Sequence, residues 1–179
     1  WDVLHDFDHP VMWMSLDPNN TEVMYASVVH STLGGIYKTN NLSAGGASIW
    51  NRLADPGGTE GHPFVVHALG NGELLCSYSG RRIDSGFTQS SGVFYSTDDG
   101  ATWTNVGTSD MDYWTKDVVI DPHDPSQATW YVCVFSGWGG AGNTSGGVYR
   151  TTNKGASWDR IADHYRVESV TVHPDYKNI

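Results

Sequence analysis

Short apolar runs recur along this chain at a nearly fixed interval. Residues 11–16 (Val11, Met12, Trp13, Met14, Ser15 and Leu16), 64–69, 117–120 and 168–172 are such runs, and turns begin after them at Asp17, Gly70, Asp121 and His173. The spacings between those turns are 53, 51 and 52 residues. Such regularity is the signature of a repeat architecture. The first run is apolar enough for a strand buried on both faces. Each repeat then continues with a second run (residues 23–28, 73–78 and 130–135), a variable loop and a third run with strand-like alternation. A fourth run opens at Trp50, Trp103 and Trp158.

Four strands per repeat of roughly fifty residues, with no convincing helix, predict an all-β fold of β-propeller blades, each made of four antiparallel strands. Three full blades are expected at residues 11–53, 64–106 and 115–161, with 1–4 and 167–173 belonging to flanking blades. A β-sandwich would need Greek-key crossovers and would not hold so strict a period. Three blades do not close a ring. The chain is therefore expected to be a consecutive portion of a larger propeller, joined by the remaining blades of a parent protein or by a second chain.

The link between the third and fourth strands is the most regular stretch of all. Ser96-Thr97-Asp98-Asp99-Gly100-Ala101-Thr102-Trp103 fits S-x-D-x-G-x-T-W, and Thr151 to Trp158 repeats it with Asn153 for the first Asp. A longer copy runs from Thr39 through an insertion to Trp50. Carboxylate or amide oxygens at Asp98 and Asn153 can accept from the turn's own N–H groups. Gly100 and Gly155 permit positive φ, and the indoles of Trp50, Trp103 and Trp158 are delivered to a packing surface. Ser96, Asp98, Gly100 and their counterparts therefore read as structural.

Composition narrows the partners. A formal charge of −10, from 20 acidic and 10 basic side chains, leaves no basic groove for nucleic acid. No apolar run is long enough to span a bilayer, so no membrane insertion is expected. Cys76 and Cys133 stand at matching strand positions where the first repeat has Ala26, which reads as a small buried site with inert thiols. The eight histidines are spread along the chain, and neither a metal nor another cofactor is expected. Three tripeptides, at Asn19, Asn41 and Asn143, match glycosylation acceptors.

The turn resembles the Asp-box, or BNR repeat. The whole chain is similar to the propellers of sialidases, xyloglucanase-type glycoside hydrolases and the sortilin ectodomain. Val119-Ile120-Asp121-Pro122 and Val172-His173-Pro174 bring it nearest to the xyloglucanase type. That resemblance implies a catalytic Asp just before the paired glycines of an early strand; Thr32 stands there, ahead of Gly34 and Gly35. Sialidases are similar in the turn alone, since Arg81-Arg82-Ile83-Asp84 is not their arginine signature.

Candidate chemistry gathers on one face. In a propeller the loops from fourth to first strand and from second to third emerge together, away from the Asp-containing turns. Asp110 and Asp112, just before Tyr113 and Trp114, are the candidate catalytic carboxylates, because glycosidases need two carboxyl groups, one with raised pKa. Trp114, Tyr113, Tyr165 and the glycine-flanked Trp138 are candidate sugar platforms, while Arg81, Arg82 and His62 would bind hydroxyls. These features lead to an extracellular or cell-surface protein, or a periplasmic one, that is carbohydrate-active and glycoside hydrolase-like with a polysaccharide or glycan partner. The alternative is a non-catalytic glycan- or protein-binding propeller like the sortilin ectodomain.

Overall fold

Strands form where apolar residues alternate between Gly, Asn and Asp turns, and pairing follows chain order throughout. The computed structural model describes residues 3–83, 86–112, 114–136 and 145–175, with backbone alone at Arg82, Gly86 and Phe87. Strands β1 (Val11–Asp17), β2 (Asn20–Val28), β3 (Gly35–Thr39) and β4 (Trp50–Arg52) make one antiparallel sheet in that order. The second sheet comprises β5 (Pro63–Gly70) and β6 (Glu73–Tyr78), then, past a small hairpin of β7 (Arg82–Ile83) and β8 (Gly86–Phe87), β9 (Gly92–Ser96) and β10 (Thr104–Asn105). The third is β11 (Thr115–Ile120), β12 (Trp130–Val134), β13 (Gly147–Thr151) and β14 (Asp159–Asp163). Helical structure among the described residues is confined to two short 3-10 segments, Leu42–Ala47 and Ser109–Met111.

The first strands of successive sheets lie side by side. Ala68 N donates to Ser15 Oγ at 3.1 Å, and His67 Nε2 donates to the Val118 carbonyl at 2.7 Å. Val170 N donates to Asp117 Oδ2 at 3.3 Å. This fixes β1, β5, β11 and the segment around Val170 as consecutive inner elements, with the sheets stacked outward as blades.

Cores form between blades rather than within them. Val23, Tyr25 and Ile36 of the first blade meet Val66, Leu74, Cys76, Tyr78 and Phe94 of the second. Val65, Leu75 and Val93 use the second blade's opposite face to pack on Val118, Trp130, Val132, Val134 and Tyr149 of the third. Adjacent residues such as Leu74 and Leu75 thus serve different interfaces, as the two-residue strand period requires. Full burial of each such aliphatic side chain is worth about 1.5–3 kcal/mol. Cys76 and Cys133 are free and buried, and burial pushes the Cys133 thiol up to about 12. Both are poor nucleophiles for that reason.

Two expectations change. β1 is not buried on both faces: Met12, Trp13, Met14 and Leu16 are exposed, Met14 by 58%. One edge of β1 pairs with β2 and it touches β5, but no described sheet covers its other face. Residues 168–172, expected as a further first strand, carry no strand assignment. They lie along β11, and among the described residues no strand pairs with them.

The third-to-fourth-strand turns are closed by their own side chains. Asp98 Oδ1 accepts from Ser96 Oγ and Thr102 N, both at 2.8 Å, while Oδ2 accepts from Thr102 Oγ1 at 2.6 Å. Asn153 Oδ1 accepts likewise from Thr151 Oγ1 at 2.8 Å and Ser157 N at 2.9 Å. In the long copy Asn41 Oδ1 accepts from Thr39 Oγ1 and Ile49 N, both at 2.9 Å. The insertion is thereby looped out as the first 3-10 segment without loss of the closing bonds. The two later turns also reach the preceding blade. Trp103 Nε1 donates to the Ala54 carbonyl at 2.8 Å and Trp158 Nε1 to that of Val106 at 2.7 Å. Trp50 instead packs on Phe7 at 5.2 Å between ring centroids, and its Nε1 has no acceptor among the described residues.

Candidate functional site

The loops on the face away from these turns bond to one another. Ser79 N donates to the His62 carbonyl at 2.9 Å, Ser91 N to that of Asp112 at 3.1 Å and Ser136 N to that of Tyr165 at 2.7 Å. In each case a loop leaving a second strand, or entering a third, is tied to the loop that leads into a first strand. The described candidate residues therefore share a face, but they fall into separate groups along it.

One group lies at the first and second blades. Arg81 is 3.6 Å from Glu60, whose other oxygen accepts from Ser90 at 2.8 Å and from Thr88. The Thr88 and Ser90 hydroxyls hold the Glu60 carboxyl below its ordinary value. His62 is half-buried, and burial lowers its ring pKa against the opposing pull of Glu60, so the imidazole is held neutral. Arg82 lies on β7, paired with Phe87. Among the described residues there is no group of three metal-ligating side chains that could hold an ion.

A second group follows the second blade. Asp110 and Asp112 flank the buried Met111 in and after the second 3-10 segment, and both are half-buried. Ser145 Oγ donates to Asp110 Oδ1 at 2.7 Å. Burial raises the Asp112 carboxyl above its ordinary value, and the neighbouring Asp110 charge adds to the rise. Beside Asp110, Thr108, Ser145, Tyr149, Trp158 and Arg160 line a polar cavity of 260 Å³. Burial there pushes the Tyr149 phenol up to about 12.

Two residues beyond Asp112, Trp114 begins a cleft of 390 Å³ lined also by Lys116, Phe135, Arg166 and Glu168. The Trp114 and Phe135 ring centroids are 4.8 Å apart. Lys116 Nζ lies 5.0 Å from the Trp114 ring centroid and 3.0 Å from Glu168 Oε2. Arg166 stands 5.9 Å over Phe135. A cation over an aromatic face is attracted by the ring quadrupole, most strongly where it is desolvated, as Lys116 is. Next to Arg166, the Tyr165 side chain is 67% exposed. Tyr113 and Trp138 lie outside the described residues.

Sequence reasoning singled out Trp114 here but missed Lys116, Phe135 and Glu168. Lys116 and Phe135 sit at strand ends and Glu168 in a segment without strand assignment, so none stood out as a loop residue. Asp117, also missed, lies half-buried on the inner strand β11 with its carboxyl raised by burial.

No protein-family model and no curated protein matches this sequence. Solved structures do. A GH74 enzyme from Niastella koreensis is similar at 18% identity over 87% of this chain and 23% of its own, with a TM-score of 0.59. An ancestral GH74 enzyme aligns at 18% identity over 90% of this chain and 19% of its own, with a TM-score of 0.62. The GH74 xyloglucanase from Xanthomonas campestris aligns at 18% identity over 87% of this chain and 24% of its own, with a TM-score of 0.52. The chain thus spans less than a quarter of the length of each of these structures. Likeness at this identity speaks to the fold: three four-stranded antiparallel sheets, stacked edge-in as blades, make this chain an arc of a β-propeller.

Proposed function

We propose that this arc belongs to a carbohydrate-active propeller, glycoside hydrolase-like and directed at a polysaccharide, acting outside the cell, at its surface or in a periplasm. The observation that carries the reading is the cleft of Trp114, Phe135, Lys116, Arg166 and Glu168, two residues beyond the Asp110 and Asp112 pair. Aromatic faces stack on the apolar faces of sugar rings, while charged groups at their rims bind hydroxyls. Asp112, its carboxyl raised, suits a general acid that protonates a glycosidic oxygen. Asp110 is the partner carboxylate. Likeness to a GH74 xyloglucanase structure supports the substrate class. We read the Asp98 and Asn153 turns as Asp-box, or BNR, repeats with a structural role.

A second reading, a non-catalytic glycan- or protein-binding propeller, is favoured by Thr32. It stands where xyloglucanase-type repeats are expected to carry Asp, and its N and Oγ1 both lie 3.2 Å from His30 Nδ1. Sugar release and depletion assays with the full-length protein on xyloglucan, β-glucans and sialylated glycans separate the two. Asp110→Asn and Asp112→Asn should abolish turnover and spare binding under the first reading. Binding without any turnover in the unaltered protein establishes the second, and neither binding nor cleavage sinks both.

A further inference from the structure

At both seams between blades, one residue of the third-to-fourth-strand turn enters a polar grip on the preceding blade. At the first seam it is Asp99, in the left-handed conformation with φ of 61°. Tyr25 Oη donates to its carboxylate at 2.6 Å and Lys38 Nζ pairs with it. At the second seam Lys154, with φ of 55°, donates to Glu73 Oε2 at 2.9 Å and to Tyr95 Oη at 3.1 Å. The glycine that follows rests on an aliphatic side chain of that preceding blade. A Cβ at Gly100 would stand 2.6 Å from Leu53 Cδ1, and one at Gly155 would stand 2.7 Å from Val106 Cβ.

The third blade carries the same grip on its outward side. Tyr131 pairs with Arg150 across β12 and β13 in the register in which Tyr25 pairs with Lys38 across β2 and β3. Ile161, three residues after Trp158 as Leu53 is three after Trp50, is 49% exposed. Arg150 Nε is buried and has no acceptor among the described residues. Asp121 is close by and accepts from Tyr131 Oη at 3.3 Å. Its counterpart Asp17 acts on Tyr25 in the first blade, where Asp99 is nonetheless bound.

The geometry points to Tyr131, Arg150 and Ile161 as a docking site for an acidic blade turn: an Asp or Glu in left-handed conformation followed by glycine, presented by a neighbouring propeller blade. Charge decides the occupant. Arg150 and Tyr131 reproduce the pair that holds Asp99, not the Glu73 and Tyr95 pair that holds Lys154. A second copy offers no such turn through its first blade, because the residue after Asn41 there is Leu42.

The test uses two cyclised hairpin probes against the full chain. One reproduces residues 92–106 with Asp99 and Gly100, and the other is identical except for Asp99→Lys. The acidic hairpin should bind with shifts in the Tyr131 and Arg150 NMR signals, and the basic hairpin about tenfold more weakly or not at all, the size expected for loss of a partly desolvated charge pair. Arg150→Gln should remove the discrimination, with circular dichroism reporting whether the variant folds. Equal binding of both hairpins to the unaltered chain, no binding of the acidic one, or self-association abolished by Arg150→Gln would overturn the assignment.

Discussion

Tyr25 Oη donates to the Asp99 carboxylate at 2.6 Å, joining a second strand of one blade to a turn of the next. With Lys38 on the same carboxylate, the contact is a charged lock on the seam. Asp99→Asn keeps an acceptor for Tyr25 but removes the charge. Hydrogen bonds to charged groups contribute about 1.5–3 kcal/mol, and partial exposure of Asp99 lowers the expected loss to about 1 kcal/mol. The denaturant midpoint should fall with no change in its slope.

The second seam permits a charge exchange. Lys154→Glu sets a like charge against Glu73 and should destabilise the chain, and adding Glu73→Lys should recover most of the loss. A double-mutant cycle reads the coupling directly, and additive effects would count against the lock.

Gly155→Ala tests the packing of a turn on its neighbour. The φ of 83° is strained for any residue with a Cβ, and the added carbon would stand 2.7 Å from Val106 Cβ. A loss of more than about 1 kcal/mol is expected, against less than that for alanine at the open, exposed Gly57. Thermal or chemical denaturation decides.

Acid should loosen the chain through specific carboxylates. Thr88 and Ser90 hold Glu60 below its ordinary 4.5, and Glu73, despite burial acting the other way, is lowered by Tyr95 and Lys154. Carboxyls depressed in the folded state contribute stability above their unfolded pKa and lose it as pH falls through the folded value. Stability should therefore decline from pH 4.5 downward, and Glu60→Gln should flatten part of that slope in denaturation midpoints taken at successive pH values.

Asp112 behaves oppositely. Its carboxyl, raised above 3.8 by burial and then by Asp110, favours the protonated form in the fold. Its contribution to stability is present below the unfolded pKa and is lost as pH rises through the folded one. Carbon-detected titration should show an Asp112 midpoint above 3.8 that moves down in Asp110→Asn. An unmoved midpoint would separate the two carboxyls and remove the basis for their acid and partner roles.

How much of this was legible in the sequence depends on what kind of signal each part left. Strand order and turn chemistry were readable because Asp98, Gly100 and Trp103 recur with their counterparts, so local hydrogen bonding and φ could be inferred residue by residue. The exposed face of β1 was not, because Met12, Trp13 and Met14 look the same whether a neighbouring sheet covers them or not. Lys116, Phe135 and Glu168 were missed for a related reason: residues in or beside inner strands declare their direction only once blades are stacked. The polar grips at the seams join residues 59 to 81 positions apart, and no local pattern announces such pairs.

The reversal of sign between seams bears on how a repeated chain folds without error. Blades with the same backbone could dock on the wrong neighbour, a characteristic failure of repeat proteins. The Lys154 turn, offered to the first blade, would meet Lys38; the Asp99 turn, offered to its own blade's outer face in another molecule, would meet Glu73. Each misplaced docking sets like charges face to face in a partly desolvated contact, so unequal seams reject swapped partners that shape alone would accept.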